Sequence, residues 1–259
     1  MTPLEAVAIV VAGVGAGTIN TVVGSGTLIT FPTLLALGYP PVVANVANTV
    51  GLTPGSLAAS WGYRRELRGQ RRRLLRLGAA SVIGGLVGGL LLLRLPDEAF
   101  RAIVPVLIGL ALVLVVLQPR LSAGVARRRE REHAHTGVAR RHDGGPLLVL
   151  GVAGAGVYGG YFGAAQGVLL LGLMGVSLDE DLQTLNAVKN VLTGLVNGTA
   201  AVLFIAVADI EWAVAGVIAV GAFLGGLLGA KVGRRLSPAV LRGVIVVVGV
   251  AAIVRVLTG

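Results

Sequence analysis

The sequence predicts an all-α membrane protein: about eight transmembrane helices in two internal repeats of about four, with broken or re-entrant segments near 24–38 and 164–178. Three observations carry that expectation. Hydrophobic residues make up 55% of the 259 and charged residues only 13%, with a mean hydropathy of +0.86. Several uncharged apolar runs reach the ~18–20 residues needed to cross ~30 Å of hydrocarbon. The chain also matches itself, without gaps, under the constant shift that sets Gly26 on Gly167. The runs are continuous, whereas a β-barrel would show ~10-residue alternating segments.

The elements follow in order. Met1 to Glu5 has no basic stretch ahead of the first apolar run, so that run reads as a structural helix, about 4–23, and not as a signal peptide. A glycine-broken stretch and a short apolar segment follow, about 24–38. Spans are expected at about 42–62, 76–95 and 99–117. The second half repeats the plan at 147–163, 164–178, 183–206, 211–231 and 239–257. The chain therefore divides into a first transmembrane repeat (1–117), a basic hydrophilic linker (118–146) and a second transmembrane repeat (147–259).

The shifted matches include more than glycines. Gly26 and Leu28 meet Gly167 and Leu169, and Asn45 meets Asn186. Gly84, Gly85, Leu86 and Gly88 meet Gly225, Gly226, Leu227 and Gly229, and Arg94 and Arg101 meet Arg235 and Arg242. Such repeats are how many secondary transporters are built, with the substrate at the repeat interface. Four spans per half would give repeats of the same orientation, and five would give inverted repeats. The sequence leaves both open.

The net charge of +10 does not point to nucleic acid. The arginines cluster in two loops, 63–75 and 118–146, which fall on one side of the eight-span arrangement and are expected to be cytoplasmic, in the plasma (inner) membrane. Asp179, Glu180, Asp181, Lys231, Arg234 and Arg235 fall on the opposite side in that arrangement. Trp61 and Trp212 lie near span ends, as interfacial anchors do. With no cysteine, thiolate chemistry is excluded.

Lys189 stands out. It is one of two lysines against twenty arginines, and it lies within the apolar run Leu182 to Val207, which contains no aspartate or glutamate. A charge at membrane depth costs roughly 2.5–3.5 kcal/mol on insertion scales, so it faces a partner or a water-filled cavity. Without a partner inside its run, the expected partner is an anion from outside. Gln183, Asn186, Asn190, Thr193 and Asn197 follow at spacings of 3, 4, 3 and 4, one face of a helix. Lys189 borders that stripe. Asn45, Asn48, Thr49 and Ser56 echo it in the first half, with Asn48 at the position equivalent to Lys189. Single membrane asparagines often serve only as interhelical glue, at about 0.6 kcal/mol. Glue does not need a positive charge, whereas an anion site does, with amides and hydroxyls as further donors.

The breaks Val23–Thr27 and Gly163–Gly167 fall at the same register of the two halves. A half-helix starting there would aim free N–H groups and its dipole at an anion, near Asn20, Ser25, Thr27 and Gln166. The candidate substrate-binding set is thus Asn20, Ser25, Thr27, Asn45, Asn48, Thr49, Gln166, Asn186, Lys189 and Asn190.

Other motifs carry less. Gly154 to Gly159 fits a dinucleotide-binding pattern, but it sits between membrane-length runs and not in a strand–turn–helix unit. His133, His135 and His142 lie in the arginine-rich loop and read as solvated, as do Asp209 and Glu211, for which proton coupling is the alternative role. No histidine, cysteine or carboxylate lies inside a span with a partner at useful spacing. No catalytic constellation, metal site or cofactor is therefore expected.

The stretch Gly17–Pro32 (GTINTVVGSGTLITFP), with Gly38-Tyr-Pro-Pro, Ala44-Asn45, Asn48-Thr49, Pro54-Gly-Ser56 and Trp61–Leu67 (WGYRREL), resembles the sulfite exporter TauE/SafE family of membrane transporters. Leu185-Asn186-Ala-Val-Lys189-Asn190 and Gly229-Ala-Lys231 continue the likeness. Ala164-Ala165-Gln166-Gly167 departs from it, standing where the family has a glycine cluster. The resemblance covers nearly the whole chain except the linker. It implies a duplicated helical permease for small anions such as sulfite, sulfoacetate or related sulfonates. The expected partners are a small anionic substrate and the lipid bilayer, with no nucleic acid, and a homo-oligomer stays open. The alternative is a membrane-embedded enzyme or assembly factor without a transport cycle. A cation carrier would want carboxylates within the spans.

Overall fold

A computed structural model describes residues 1–136, 144–232 and 238–258. Among these residues the protein is all helix: α1 (Pro3–Val22), α2 (Thr27–Ala36), α3 (Pro41–Gly62), α4 (Arg71–Arg94), α5 (Asp97–Thr136), α6 (Pro146–Tyr161), α7 (Gln166–Ser177), α8 (Leu182–Val207), α9 (Trp212–Val232) and α10 (Pro238–Thr258). Five of the described segments are long and apolar enough to cross a membrane: α1, α4, α5 up to Arg120, α8 and α9. The 22 residues of α3 also have the length. Its polar stripe of Asn45, Asn48, Thr49, Thr53, Ser56 and Ser60 dilutes its apolar character.

Local chemistry sets the ends. α1 opens on a reciprocal cap, in which Thr2 accepts from the Glu5 N–H and Glu5 accepts from the Thr2 N–H, with Pro3 in the first turn. α8 opens on Asp181, whose carboxylate accepts from the N–H groups of Gln183 and Thr184. Partial burial pushes the Asp181 carboxyl up, but the Thr184 hydroxyl and these amides outweigh it and hold the carboxyl below its ordinary value. The stabilisation is therefore present at neutral pH and lost as pH falls through the carboxylate range. Asp181→Ala should lower stability at pH 7 by about 1 kcal/mol. Its unfolding midpoint should converge on that of the parent in acid.

Two helices run past their expected limits. α4 starts inside the predicted loop 63–75, and α5 continues through the first part of the predicted linker to Thr136. Hydropathy marks where lipid ends, not where helix ends. The Arg-, Glu- and Ala-rich stretch beyond Ser122 has good helix propensity. His142 lies outside the described residues.

The helices meet through glycines, and the contacts give their directions. A Cβ on Gly17 would fall 2.3 Å from the Ala222 carbonyl, and one on Gly225 would fall 2.2 Å from that of Val14. Gly13 faces Gly221, and Gly229 faces Thr18 and Thr21, so α1 and α9 run parallel with backbones touching. This is small-residue packing suited to lipid. Gly51, Gly55 and Gly62 of α3 face Ile218, Ala222 and Ala230, so α3 also runs with α9. Gly84 and Gly88 of α4 lie on the Ala153 and Val157 carbonyls of α6, and Gly78 and Gly89 of α4 lie on Leu195 and Leu203 of α8. α4, α6 and α8 are thus parallel to one another. α3 and α8 are antiparallel, since Gly194 faces Ser56 and Gly198 faces Thr53.

The chain therefore ascends in α1, turns back through α2 and ascends again in α3. It descends in α6, turns back through α7 and descends again in α8. With 10 and 12 residues, α2 and α7 are about 15–18 Å long, roughly half the hydrocarbon thickness. The ends of α3 and α9 and the starts of α4, α6 and α8 all lie at one end of the bundle. Lys231, at the end of α9, thus shares an end with the basic loop 63–75. The eight-span count had set them on opposite sides because it did not count α2 and α7 as reversals. At this end the Arg73 guanidinium donates to Glu180 at 2.8 Å, joining the first turn of α4 to the α7–α8 loop.

Candidate functional site

The site forms where α1 stops. After Val22 the chain turns through Gly24, whose φ is +87°, and restarts as α2. The second half does the same at Ala165, with φ +59°. Ala165 is the repeat equivalent of Gly24 and occupies the same left-handed conformation despite its Cβ. The second turn is thus held in the left-handed conformation by an alanine under strain. Ala165→Gly should raise stability by roughly 1 kcal/mol, read as a higher unfolding midpoint in detergent.

The two turns touch. The Gly167 N–H donates to the Gly24 carbonyl at 3.1 Å, and a Cβ on Gly167 would sit 2.4 Å from Gly24 Cα and 3.0 Å from Lys189 Cδ. Lys189 is 0% exposed. Its Nζ donates to the carbonyls of Asn20 and Thr21, both at 2.9 Å. Asn186 Nδ2 and Asn190 Nδ2 also donate to the Thr21 carbonyl, at 3.1 and 3.4 Å. These three side chains of α8 cap the end of α1, where orphan carbonyls and the negative end of the helix dipole favour donors and cations. An ammonium has three donors, and two of them are engaged here. Among the described residues no carboxylate pairs with Lys189.

The first half mirrors this without the charge. Asn45 Nδ2 of α3 donates to the Tyr161 carbonyl at the end of α6, at 2.9 Å. Asn48, equivalent to Lys189, turns instead to α2, donating to Thr27 Oγ1 at 3.3 Å and accepting from Thr30 Oγ1. Asn20 bridges Ser56 and the Gly26 N–H. Tyr158 Oη donates to the Ala164 carbonyl at 2.6 Å and pins the second turn. On the side toward the start of α5, Phe31, Phe162 and Phe100 stack edge to face beside the turns.

Four buried polar atoms beside the turns have no hydrogen-bond partner: Ser25 Oγ, Gln166 Nε2, Asn45 Oδ1 and Asn186 Oδ1. They form two repeat-equivalent pairs, Ser25 with Gln166 and Asn45 with Asn186, and the four residues, in the order of their atoms, are 0%, 2%, 0% and 7% exposed. Buried polar atoms are normally satisfied, so each unsatisfied one needs a reason.

Nine of the ten residues expected from sequence thus meet around the two turns. Thr49 is buried on α3, but among the described residues its side chain joins the others through no hydrogen bond. Several of the backbone donors expected at the turns are consumed. Gly167 N–H goes to Gly24, Gln166 N–H to Gly163 and Gly26 N–H to Asn20. Thr30 and Tyr158 were not anticipated. Only the i, i+3 spacing of Thr30 from Thr27 marks it in the sequence.

Among known proteins, the family described as Sulfite exporter TauE/SafE matches residues 9–256. The probable membrane transporter protein YfcA of Escherichia coli K12 is 29% identical over 241 residues, covering 90% of this chain and 82% of that protein. A probable membrane transporter protein of Haemophilus influenzae is 27% identical, covering 91% and 88%. The probable membrane transporter protein ORF9 of Sinorhizobium is 26% identical, covering 93% and 88%. No solved structure matches the chain.

Proposed function

The chain belongs to the sulfite exporter TauE/SafE family, and from that premise we propose that it is a secondary transporter moving a small anion, such as sulfite or a sulfonate, across the plasma (inner) membrane. The observation that carries the anion is Lys189: a fully buried ammonium with a spare donor, no carboxylate partner among the described residues, and unengaged polar atoms of Ser25 and Gln166 on the flanking turns. Desolvated charge attracts an oppositely charged ligand far more strongly than a solvated one does. Asn20, Ser25, Gln166, Asn186 and Asn190 lie on its side of the turns, and Thr27, Asn45, Asn48 and Thr49 carry the equivalent polar face of the first repeat.

We read the chain as two inverted repeats of five helices, α1–α5 and α6–α10. The constant offset between matching residues supports this, as do the opposite directions of the equivalent pairs α1 and α6, α3 and α8, and α4 and α9. Inverted repeats allow alternating access when one half rocks against the other about a central site. The Phe31–Phe100–Phe162 cluster packs beside the turns, and the Arg73–Glu180 pair ties α4 to the α7–α8 loop at the basic end. The basic loops 63–75 and 118–146 share the end that faces the cytoplasm. Glu5, Asp97, Glu98, Asp209 and Glu211 lie at the other end.

Purified protein in sealed liposomes tests the function. Labelled sulfite or sulfonate should equilibrate across the bilayer chemically unchanged, at a saturable rate above that of protein-free vesicles. A rate equal to the protein-free control for all such anions, or conversion of the substrate, would contradict transport.

A further inference from the structure

We infer that the ligand of this site carries a hydrogen-bond donor as well as its negative charge: a small anion bearing an O–H or N–H group, not one that only accepts. The inference rests on the proposed anion site and adds the chemistry of its second face. Asn45 Oδ1 and Asn186 Oδ1 are buried acceptors without a partner. Their amides cannot turn to offer nitrogen instead, because each Nδ2 is committed to the carbonyl at a helix end, Tyr161 for Asn45 and Thr21 for Asn186. Turning either amide would set oxygen against oxygen. The two acceptors stand at equivalent positions of antiparallel α3 and α8, toward opposite ends of the bundle, and the one beside Lys189 is that of Asn186, which shares the Thr21 carbonyl with it.

The opposite chemistry lies beside Asn186. Lys189 has an unused N–H, Gln166 Nε2 is an unpaired donor and Ser25 Oγ is unengaged. An anion held by these donors and having only lone pairs would press electron density against the Asn186 oxygen. A hydroxyl or amine on the same ligand would meet it as a donor. The Asn186 oxygen and the donors beside it are then satisfied together.

Two isosteric pairs of probes test this with the full-length protein in detergent: 2-hydroxyethanesulfonate against 1-propanesulfonate, and glycolate against propionate. Members of each pair share charge and number of non-hydrogen atoms and differ by O–H in place of CH3. Calorimetric titration should give the hydroxylated member of a binding pair an affinity at least about tenfold higher. Ser25→Ala removes a donor to the anion, so it should weaken both members alike and leave their ratio unchanged. If a donor-free member binds as tightly as its partner, the inference fails while the anion site stands. If the ratio collapses in Ser25→Ala, the asparagine assignment fails. If none of the four binds protein that unfolds in a single sharp transition, the anion site falls too.

Discussion

Lys189→Met should abolish transport and leave the protein folded. Methionine nearly matches the lysine in volume and removes only the charge and its donors. Truncating one side of a buried, hydrogen-bonded charge pair typically costs about 2–5 kcal/mol, so anion affinity should fall roughly thirty-fold or more. Stability should change little. The Thr21 carbonyl keeps Asn186 and Asn190 as donors, and replacing a buried charge by an apolar group of similar volume is often neutral or stabilising. Liposome flux and the detergent unfolding midpoint separate the two effects. A lysine that only capped α1 would give the reverse, a lowered midpoint with transport intact.

Gly167→Ala should be nearly as damaging, for a different reason. The new methyl would lie 2.4 Å from Gly24 Cα and 3.0 Å from both the Gly24 carbonyl and Lys189 Cδ. Two of those three neighbours are backbone and cannot swing aside. The two turns must separate, which breaks the Gly167–Gly24 hydrogen bond and shifts the lysine. Overpacking of this kind costs about 1–3 kcal/mol. The midpoint should drop by that equivalent, and transport should be lost even at temperatures where the variant is fully folded. Gly24→Ala adds an unfavourable left-handed φ to a similar clash. Unchanged flux in Gly167→Ala would mean that contact between the turns is not needed for the cycle.

Much of this was legible in the sequence because it depends on local pattern. Membrane-length runs announced the helices. The spacing of Asn186, Asn190 and Thr193 announced a polar face, and the shared offset announced the turns at Gly24 and Ala165. What stayed hidden depends on partners far apart in the chain. Nothing near Lys189 shows that it reaches the end of α1, 168 residues away. The reversal at α2 and α7 was hidden too, because a half-length apolar helix looks the same whether it crosses or turns back. That ambiguity placed Lys231 at the wrong end. The turn amides looked free because the sequence cannot show that Gly24 and Asn20 already accept from two of them.

The most direct measurement of the central claim is an experimental structure of the protein soaked at mildly acidic pH in hydrogen selenite, an anion that carries an O–H, with anomalous scattering locating selenium. The account predicts one strong peak within hydrogen-bond reach of Lys189 Nζ, flanked by Ser25 and Gln166. Selenium found only among the arginines of 64–76, with Lys189 held solely by the Asn20 and Thr21 carbonyls, would contradict it.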